Sequence, residues 1–142
     1  MSVELREAAA GELSTVESLL ERYGLPTADL RDGAATVYLA SVDGSVVGVG
    51  GLEAHGDAGL LRSVAVDERG EGHGSAICDR LEARAASSGI GTLYLLTETA
   101  AGFFEGRGYE RIDREAAPAA IRATAEFDEL CGDTAVAMRK RL

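Results

Sequence analysis

Apolar residues along the chain follow two different periods. Between Leu13 and Tyr23, and again between Ile77 and Ala85, they recur every three or four positions, which predicts two amphipathic helices. Gly24 with Pro26 ends the first helix, and Ser87-Ser88-Gly89 ends the second. Shorter apolar runs predict strands over residues 3–6, 36–42, 46–53, 60–66, 92–97 and 134–139, with another after Tyr109.

Local signals place the turns and the smaller helices. Asp43-Gly44 predicts a tight hairpin, and residues 55–59 a second turn. The first long helix begins either at a capping box of Ser14 with Glu17 or nearer Gly11. The sequence also predicts helical turns over 27–31, 100–106 and, in pieces with Thr124 as a possible N-cap, 118–131.

The resulting order, β-α-α-β-β-β-α-β-α-β-β, predicts the fold class. One helix separates two strands that are apolar on both faces, as a parallel crossover requires. We expect a single α+β domain over 1–142, with a mixed central sheet and helices on both of its faces.

The stretch Leu60 to Ala76, LLRSVAVDERGEGHGSA, reads as a strand, a glycine-rich loop and a helix opened by Ser75. Glycines allow the backbone to approach a ligand, and the free N–H groups of a helix start favour phosphate. A P-loop is excluded because it needs Gly-Lys-Ser/Thr, and the single lysine is Lys140. The dinucleotide spacing G-x-G-x-x-G is also absent, whereas Arg69-x-x-Gly72-x-Gly74 is present.

That spacing resembles the acetyl-CoA loop of the GNAT N-acetyltransferases. The second motif of that family, N-x-x-A-x-x-F-Y-x-x-x-G-F, resembles the positions of Thr97, Ala100, Phe103, Phe104, Gly108 and Tyr109. The resemblance implies the GNAT acyl-CoA N-acyltransferase fold, with a sheet splayed between its fourth and fifth strands. It also implies acetyl-CoA as co-substrate, no metal, and direct attack by a primary amine. A narrower resemblance, to acetyltransferases associated with arsenic-resistance operons, is carried by three stretches: LLRSVAV, TLYLLTETAAGFF and the tail PAAIRATAEFDELCGDTAVAMRK.

The family resemblance assigns cofactor-binding positions residue by residue. The breakdown of alternation over Leu60 to Ser63 is compatible with a β-bulge, which in the family opens a gap for the pantetheine arm. The implied cofactor-binding residues are Val64, Ala65 and Val66 in the strand, Arg69, Gly70, Glu71, Gly72, His73, Gly74 and Ser75 in the loop, and Thr97 and Phe104.

Candidate catalytic and acceptor residues follow from position and charge. Glu53 ends the strand beside the central one, where a carboxylate held away from water is suited to take a proton or order a water; a solvated strand end is the alternative. His55 has suitable chemistry but is predicted on a turn, as a surface residue. Arg62 lies in an apolar strand, so it either holds a substrate carboxylate or forms an internal ion pair with a glutamate.

Two features bear on activity and specificity. Phe104 stands where many family members have the tyrosine thought to protonate the leaving thiolate, which leaves Tyr38, Tyr94 or water for that role. Residues 118–131 are predicted to close over the acceptor site, with Arg122 binding an acceptor anion, or else to plug one end of the sheet. The functions considered are a small-molecule N-acetyltransferase, a non-catalytic acetyl-CoA-binding module and a protein acetyltransferase.

Composition and net charge limit the classes of binding partner that the sequence favours. Twenty-four acidic against fourteen basic residues give a net charge of −10, which argues against nucleic acid. The acidic, arginine-rich and lysine-poor composition suggests a halophilic source. No apolar run is long enough to span a membrane, no leader is evident, and Cys78 and Cys131 are isolated. We expect a soluble, cytoplasmic monomer or homodimer that binds acetyl-CoA and a small amine.

Overall fold

A computed structural model describes residues 3–25, 27, 35–66, 72–124, 127 and 135–142. The described strands are β1 (Glu4–Glu7), β2 (Thr36–Val42), β3 (Ser45–His55), β4 (Ala58–Val66), β5 (Thr92–Thr97), β6 (Glu110–Ile112) and β7 (Val136–Arg141). The described α-helices are α1 (Leu13–Arg22), α2 (His73–Ser87), α3 (Ala101–Glu105) and α4 (Ala119–Arg122). The predicted helical turn over 27–31 falls largely outside the described residues.

The strands form one mixed sheet. Its order over the described residues is β1-β2-β3-β4-β5-β7-β6, and every neighbouring pair is antiparallel except β4 and β5. Asp43 and Gly44 have φ values of 51° and 82°, as a tight two-residue hairpin needs, and they join β2 to β3. The predicted α+β layout with one parallel crossover, through α2, is therefore confirmed.

β4 and β5 separate partway along their length. Their pairing runs from Ala58 opposite Thr92 to Leu60 opposite Tyr94 and goes no further. Beyond that point β5 continues to pair with β7, while β4 continues to pair with β3. The last part of β4 therefore has backbone N–H and C=O groups facing a gap, and the predicted splay between the fourth and fifth strands is confirmed.

The predicted bulge in β4 is also confirmed. Arg62 pairs with Gly51 and Ala65 pairs with Val49, so Ser63 and Val64 lie opposite the single residue Gly50. Ser63 has a φ of 57°, a left-handed conformation that is uncommon for a residue with a side chain. The extra residue turns the second half of β4 away from the direction of its first half.

Each face of the sheet has its own apolar core. Helix α2 covers one face with Ile77, Leu81 and Ala85. Its approach is close, because a Cβ added at Gly48 would lie 2.8 Å from the Cδ1 atom of Ile77. Glycine at this position of β3 therefore allows the helix to sit directly on the strand.

The opposite face carries two separate clusters. The first, under α1, consists of Val16, Leu19, Leu20, Val37, Leu39, Val49 and Ala65. The second, under α4, consists of Ala58, Leu60, Tyr94, Ala117, Ile121, Phe127 and Ala137. The stretch of β3 and β4 between these clusters is where the candidate site lies.

Several predicted boundaries need correction. The turn after β3 is limited to Gly56 and Asp57, because His55 pairs with Ala58, so β4 begins at Ala58 and not at residue 60. Helix α2 begins at His73 and not at Ser75. Its earlier start places the predicted loop residues His73 and Gly74 inside the first helical turn.

The ends of the chain show smaller differences. The N–H of Ala9 donates to Oε1 of Glu12 at 2.9 Å, and a 3-10 turn over Ala10–Glu12 leads into α1, which supports the start nearer Gly11. Thr124 accepts a hydrogen bond from the N–H of Phe127 at 3.4 Å, as an N-cap does. Strand β7 continues to Arg141, two residues beyond the prediction.

Cys78, on α2, is buried in the apolar core between this helix and the sheet, and burial raises the pKa of its thiol to about 12. Because the thiolate is the reactive form, we expect Cys78 to be inert in the folded protein. In a Cys131→Ser variant, the remaining thiol should react with Ellman's reagent at pH 8 only after unfolding in guanidinium chloride. Equal reaction rates for folded and unfolded protein would contradict this placement.

Candidate active site

Glu53, His55 and Arg62 come together on the face of the sheet that lies between the two clusters. Side chains two apart on a strand share a face, so Glu53 and His55 point the same way from β3. Arg62, on β4, lies opposite Gly51 of β3, and its side chain reaches the carboxylate of Glu53. Nη1 of Arg62 donates to Oε2 of Glu53 at 3.0 Å, and Nε2 of His55 lies 3.1 Å from Oε1.

The three side chains differ in their exposure to solvent. The side chain of Arg62 is 0% exposed and that of Glu53 is 3% exposed, whereas that of His55 is 29% exposed. Nε of Arg62 also donates to Oγ of Ser63 at 3.0 Å, which ties the guanidinium to the bulge. Of the two alternatives for Arg62, the structure shows the internal ion pair. For Glu53 the alternative of a solvated strand end is not observed, and His55 ends β3, partly exposed, and does not lie on a turn.

Gly51 provides the space for this ion pair. A Cβ at Gly51 would lie 3.3 Å from the carbonyl oxygen of Arg62 and 3.4 Å from its Cγ. Removing one partner of a buried pair leaves an uncompensated charge, which typically costs about 3–5 kcal/mol. The pair therefore fixes Glu53 in one orientation on the sheet.

The ion pair lies next to the point where β4 and β5 separate. Glu53 is opposite Leu60 on β4, and Leu60 is opposite Tyr94 on β5 in the last pair before the gap. The carboxylate is thus one strand away from the opening between the strands. A group that entered the gap along β4 would end close to Glu53.

The other end of the gap leads to the start of α2. Gly72 is the N-cap, with a φ of 79°, and it has no side chain to accept the free N–H groups of the first turn. The first turn of this 15-residue helix contains no acidic residue. Free amides and the positive end of the helix dipole together fit an anion.

Some of the predicted loop residues cannot be placed. Arg69, Gly70 and Glu71 lie outside the described residues, whereas Gly72, His73, Gly74 and Ser75 form the helix start. In β4, Ala65 is buried under α1, while Val64 and Val66 are half-buried and pack on the other face.

Arg107 brings a positive charge to the first turns of α2. Its Nη1 donates to Oγ of Ser75 at 2.8 Å, and its Nη2 lies 2.7 Å from Oδ1 of Asp79 and 3.2 Å from Oε2 of Glu82. No local sequence pattern indicates this contact, because Arg107 follows the predicted helical turn over 100–106 and is 32 positions from Ser75 along the chain. The arginine holds the side chain of Ser75 beside the helix start.

The second motif places two aromatic rings differently from the prediction. Phe104 is buried and makes edge contacts with Phe103 and Tyr109 at centroid distances of 5.1 and 5.3 Å. Phe103 is 43% exposed, and a Cβ at Gly74 would lie 3.7 Å from its Cζ. The ring nearer to the start of α2 is therefore Phe103, which the sequence did not single out as a binding residue.

The remaining residues of this motif have structural contacts. Oγ1 of Thr97 accepts a hydrogen bond from the N–H of Ala100 at 3.0 Å, which shapes the turn after β5. The hydroxyl of Tyr109 donates to Oε2 of Glu82 at 2.9 Å, and burial raises the pKa of Tyr109. A phenol held in this way is a poor proton donor, so Tyr109 does not replace the missing tyrosine.

The tail lies on the same face as the ion pair. Ile121 is fully buried against the second cluster, whereas Arg122, the last residue of α4, is exposed. Phe127 belongs to the same cluster. The described part of segment 118–131 therefore packs on the sheet beside the candidate site, and Arg122 is at its surface.

Comparisons with known proteins identify the family. Residues 33–111, more than half of the chain, match the family model described as the acetyltransferase (GNAT) domain. The chain therefore belongs to the GNAT acetyltransferase family, and its fold is the GNAT fold.

Two curated relatives are amino-acid acetyltransferases. That of Azotobacter vinelandii is 39% identical over 82 residues, which are 55% of this chain and 19% of that protein. That of Ectopseudomonas mendocina is 42% identical over 69 residues, which are 47% of this chain and 16% of that protein. The chain thus spans about a fifth of the length of these relatives.

Two solved structures resemble the whole chain. N-acetylglutamate synthase from Neisseria gonorrhoeae, complexed with coenzyme A and N-acetyl-glutamate, aligns with a TM-score of 0.80 at 19% identity, over 100% of this chain and 35% of that one. Rv2747 from Mycobacterium tuberculosis, in complex with CoA and NLQ, aligns with a TM-score of 0.78 at 25% identity, over 98% of this chain and 99% of that one. The likeness to the synthase shows the shared fold.

Two kinds of feature are absent from the described residues. Within them, no three His, Cys, Asp or Glu side chains are grouped so that they would hold a metal ion. Among the helices that the structure describes, none has the length and apolar character needed to cross a membrane.

Proposed function

We propose that this protein transfers the acetyl group of acetyl-CoA to the primary amine of a small, amino acid-like acceptor. The observation that carries the proposal is the position of Glu53, buried and oriented by Arg62 beside the gap between β4 and β5. A base at one end of the gap and an uncapped helix start at the other fit the two ends of an acyl-CoA.

The residues present fit acetyl-CoA. The backbone of Val64, Ala65 and Val66 would hold the pantetheine arm, and the N–H groups from Gly72 to Ser75 would hold the pyrophosphate, together with Arg69, Gly70 and Glu71. Thr97 and Phe104 are proposed to line the same groove. When bound, acetyl-CoA supplies an activated acyl group to the amine.

Glu53 is proposed to take a proton from the amine nitrogen, directly or through a water. Arg62 orients the carboxylate for that transfer through a charge-assisted hydrogen bond. Because its guanidinium is wholly buried and paired, Arg62 acts through Glu53 and not by holding the acceptor directly. Arg122 at the surface is the proposed contact for an acceptor anion.

The class of acceptor is supported by similarity and by charge. The curated relatives are amino-acid acetyltransferases, and the Neisseria synthase structure contains N-acetyl-glutamate. The exposed guanidinium of Arg122, at the end of α4, offers a positive charge for an anionic group on such an acceptor. The resemblance to the arsenic-resistance acetyltransferases extends the proposal to a role in resistance to arsenic or another toxin.

One observation favours a second candidate function. Phe104 has no hydroxyl, it is buried in the core, and Tyr109 is engaged by Glu82. Of the other candidate donors, Tyr38 is buried under Arg84 and Tyr94 is buried at the last β4–β5 pair, beside the gap. If neither Tyr94 nor water protonates the leaving thiolate, the protein would bind acetyl-CoA as a regulatory module. Thiol release from acetyl-CoA, measured with amino acids, other small amines and a basic peptide, separates this module from a small-molecule or protein acetyltransferase.

Replacing Arg122 with glutamine should raise the acceptor Michaelis constant by about tenfold for an anionic amino acid, because one exposed charge–charge contact is lost. Turnover and CoA affinity should stay near wild type. The matched control is Arg80→Gln, which removes an exposed arginine from α2. If both variants have the wild-type Michaelis constant, Arg122 does not contact the acceptor.

A further inference from the structure

We infer that His55 carries the proton from Glu53 to solvent during turnover. This inference rests on the proposed function, in which Glu53 receives a proton from the amine. It assigns a role to a side chain that the sequence predicted to be a surface residue.

A proton that arrives on Glu53 cannot leave directly to bulk water. The side chain is 3% exposed, and both of its carboxylate oxygens have protein partners. The carboxylate must return to its ionised form before the next turnover. The proton therefore has to pass through one of the two partners or leave with a substrate.

The two partners are not equivalent as proton carriers. The guanidinium of Arg62 is wholly buried and stays protonated, so it has no lone pair to accept a proton. An imidazole such as that of His55 can both accept and donate a proton, and each of its ring nitrogens can take either role. Nε2 is 3.1 Å from Oε1 of Glu53, and the side chain is 29% exposed.

The proton balance closes without another reactant. The N–H bond of the amine breaks, and the proton passes to the carboxylate of Glu53. Nε2 of His55 takes that proton, and the resulting imidazolium gives one proton to water. The nitrogen forms its bond to the acetyl carbon as the C–S bond breaks, and the second proton that the ammonium loses passes through water to the leaving thiolate. One proton therefore enters the solvent in each turnover, and no electrons are transferred.

The strand geometry explains why the relay is short. His55 is the last residue of β3, two positions after Glu53 and on the same face, and the chain turns at once through Gly56 and Asp57. Glu53 is therefore buried on this face of the sheet, whereas His55 lies at the end of the strand and is partly exposed. A side chain in that position reaches both the buried carboxylate and water.

The test compares two substitutions of His55 in steady-state thiol-release assays. His55→Gln keeps an amide N–H that can donate to Glu53 but cannot carry a proton, so a merely structural role would be retained. We expect both His55→Gln and His55→Ala to lower kcat by about tenfold or more, less than the roughly 10²–10⁴-fold typical of a group that acts on the substrate itself. CoA affinity and melting temperature should not change.

Chemical rescue completes the experiment. Added imidazole should restore much of the turnover of His55→Ala and should not accelerate the wild type. An active wild type whose His55→Gln variant has full turnover, or a loss in His55→Ala that imidazole does not restore, would overturn the relay. A wild type that releases no thiol with any amine would overturn the proposed function and the relay with it.

Discussion

Turnover is expected to fall by about a hundredfold or more when Glu53 is replaced with glutamine, while CoA affinity changes little. Glutamine keeps the shape of the side chain and its contact with Arg62, but it cannot take a proton. Glu53 is on β3, whereas the gap proposed to hold CoA lies on the other side of β4, between β4 and β5. The substitution should therefore leave the CoA-binding gap intact. Steady-state thiol release and calorimetric CoA titration measure the two effects.

Two controls separate chemistry from structure. Asp57→Asn changes an exposed carboxylate at the adjacent turn and should leave turnover near wild type. Arg62→Gln breaks the same ion pair while keeping Glu53, and because Arg62 acts through Glu53 it should lower turnover as well. Retained CoA binding by Glu53→Gln would assign its loss of turnover to the chemical step. If Glu53→Gln is fully active, or if Asp57→Asn loses as much turnover, Glu53 is not the base.

Replacing Gly72 with valine should weaken CoA binding by about a hundredfold or more, a loss of about 2.7 kcal/mol. No described protein atom lies within 4 Å of the position of the added Cβ, so the side chain would project into the space proposed for the pyrophosphate. The φ of 79° also disfavours a β-branched residue, which would shift the N–H groups of the first turn. Calorimetric titration with CoA measures the affinity.

The other end of the same helix provides the control. Gly89 has a φ of 88° and nothing within 4 Å of an added Cβ, so Gly89→Val imposes a similar backbone strain far from the helix start. We expect both variants to fold and only Gly72→Val to lose CoA binding. Equal CoA affinities for the two variants would remove the start of α2 from the cofactor site.

The features that the sequence predicted best depend on local chemistry. The hairpin at Asp43-Gly44 follows from residues that accept positive φ, and the bulge follows from four successive residues that break strand alternation. The partner of Arg62 was foreseen as one of two alternatives, because a buried charge needs a counter-charge. The choice between them required the register of β3 on β4, which the sequence does not encode locally.

The missed residues depend on contacts that no local pattern reports. His55 was predicted on a turn, but its pairing with Ala58 extends β3 by two residues and aligns its side chain with Glu53. Arg107 reaches Ser75 across 32 positions of the chain. Phe103 and Phe104 are adjacent in sequence, so the rotation of the short helix α3, and not composition, decides which ring is exposed.

The central claim is acetyl transfer to a small amine, and the most direct measurement follows thiol release and product mass together. Acetyl-CoA is incubated with the protein and a panel of amino acids, and each product is identified by mass spectrometry. The proposed function predicts that thiol release matches, mole for mole, an amino acid acetylated on its amine, and that Glu53→Gln lowers both signals by about a hundredfold or more. Binding of acetyl-CoA with no thiol release across the panel, or acetylation of a basic peptide but of no amino acid, would contradict it.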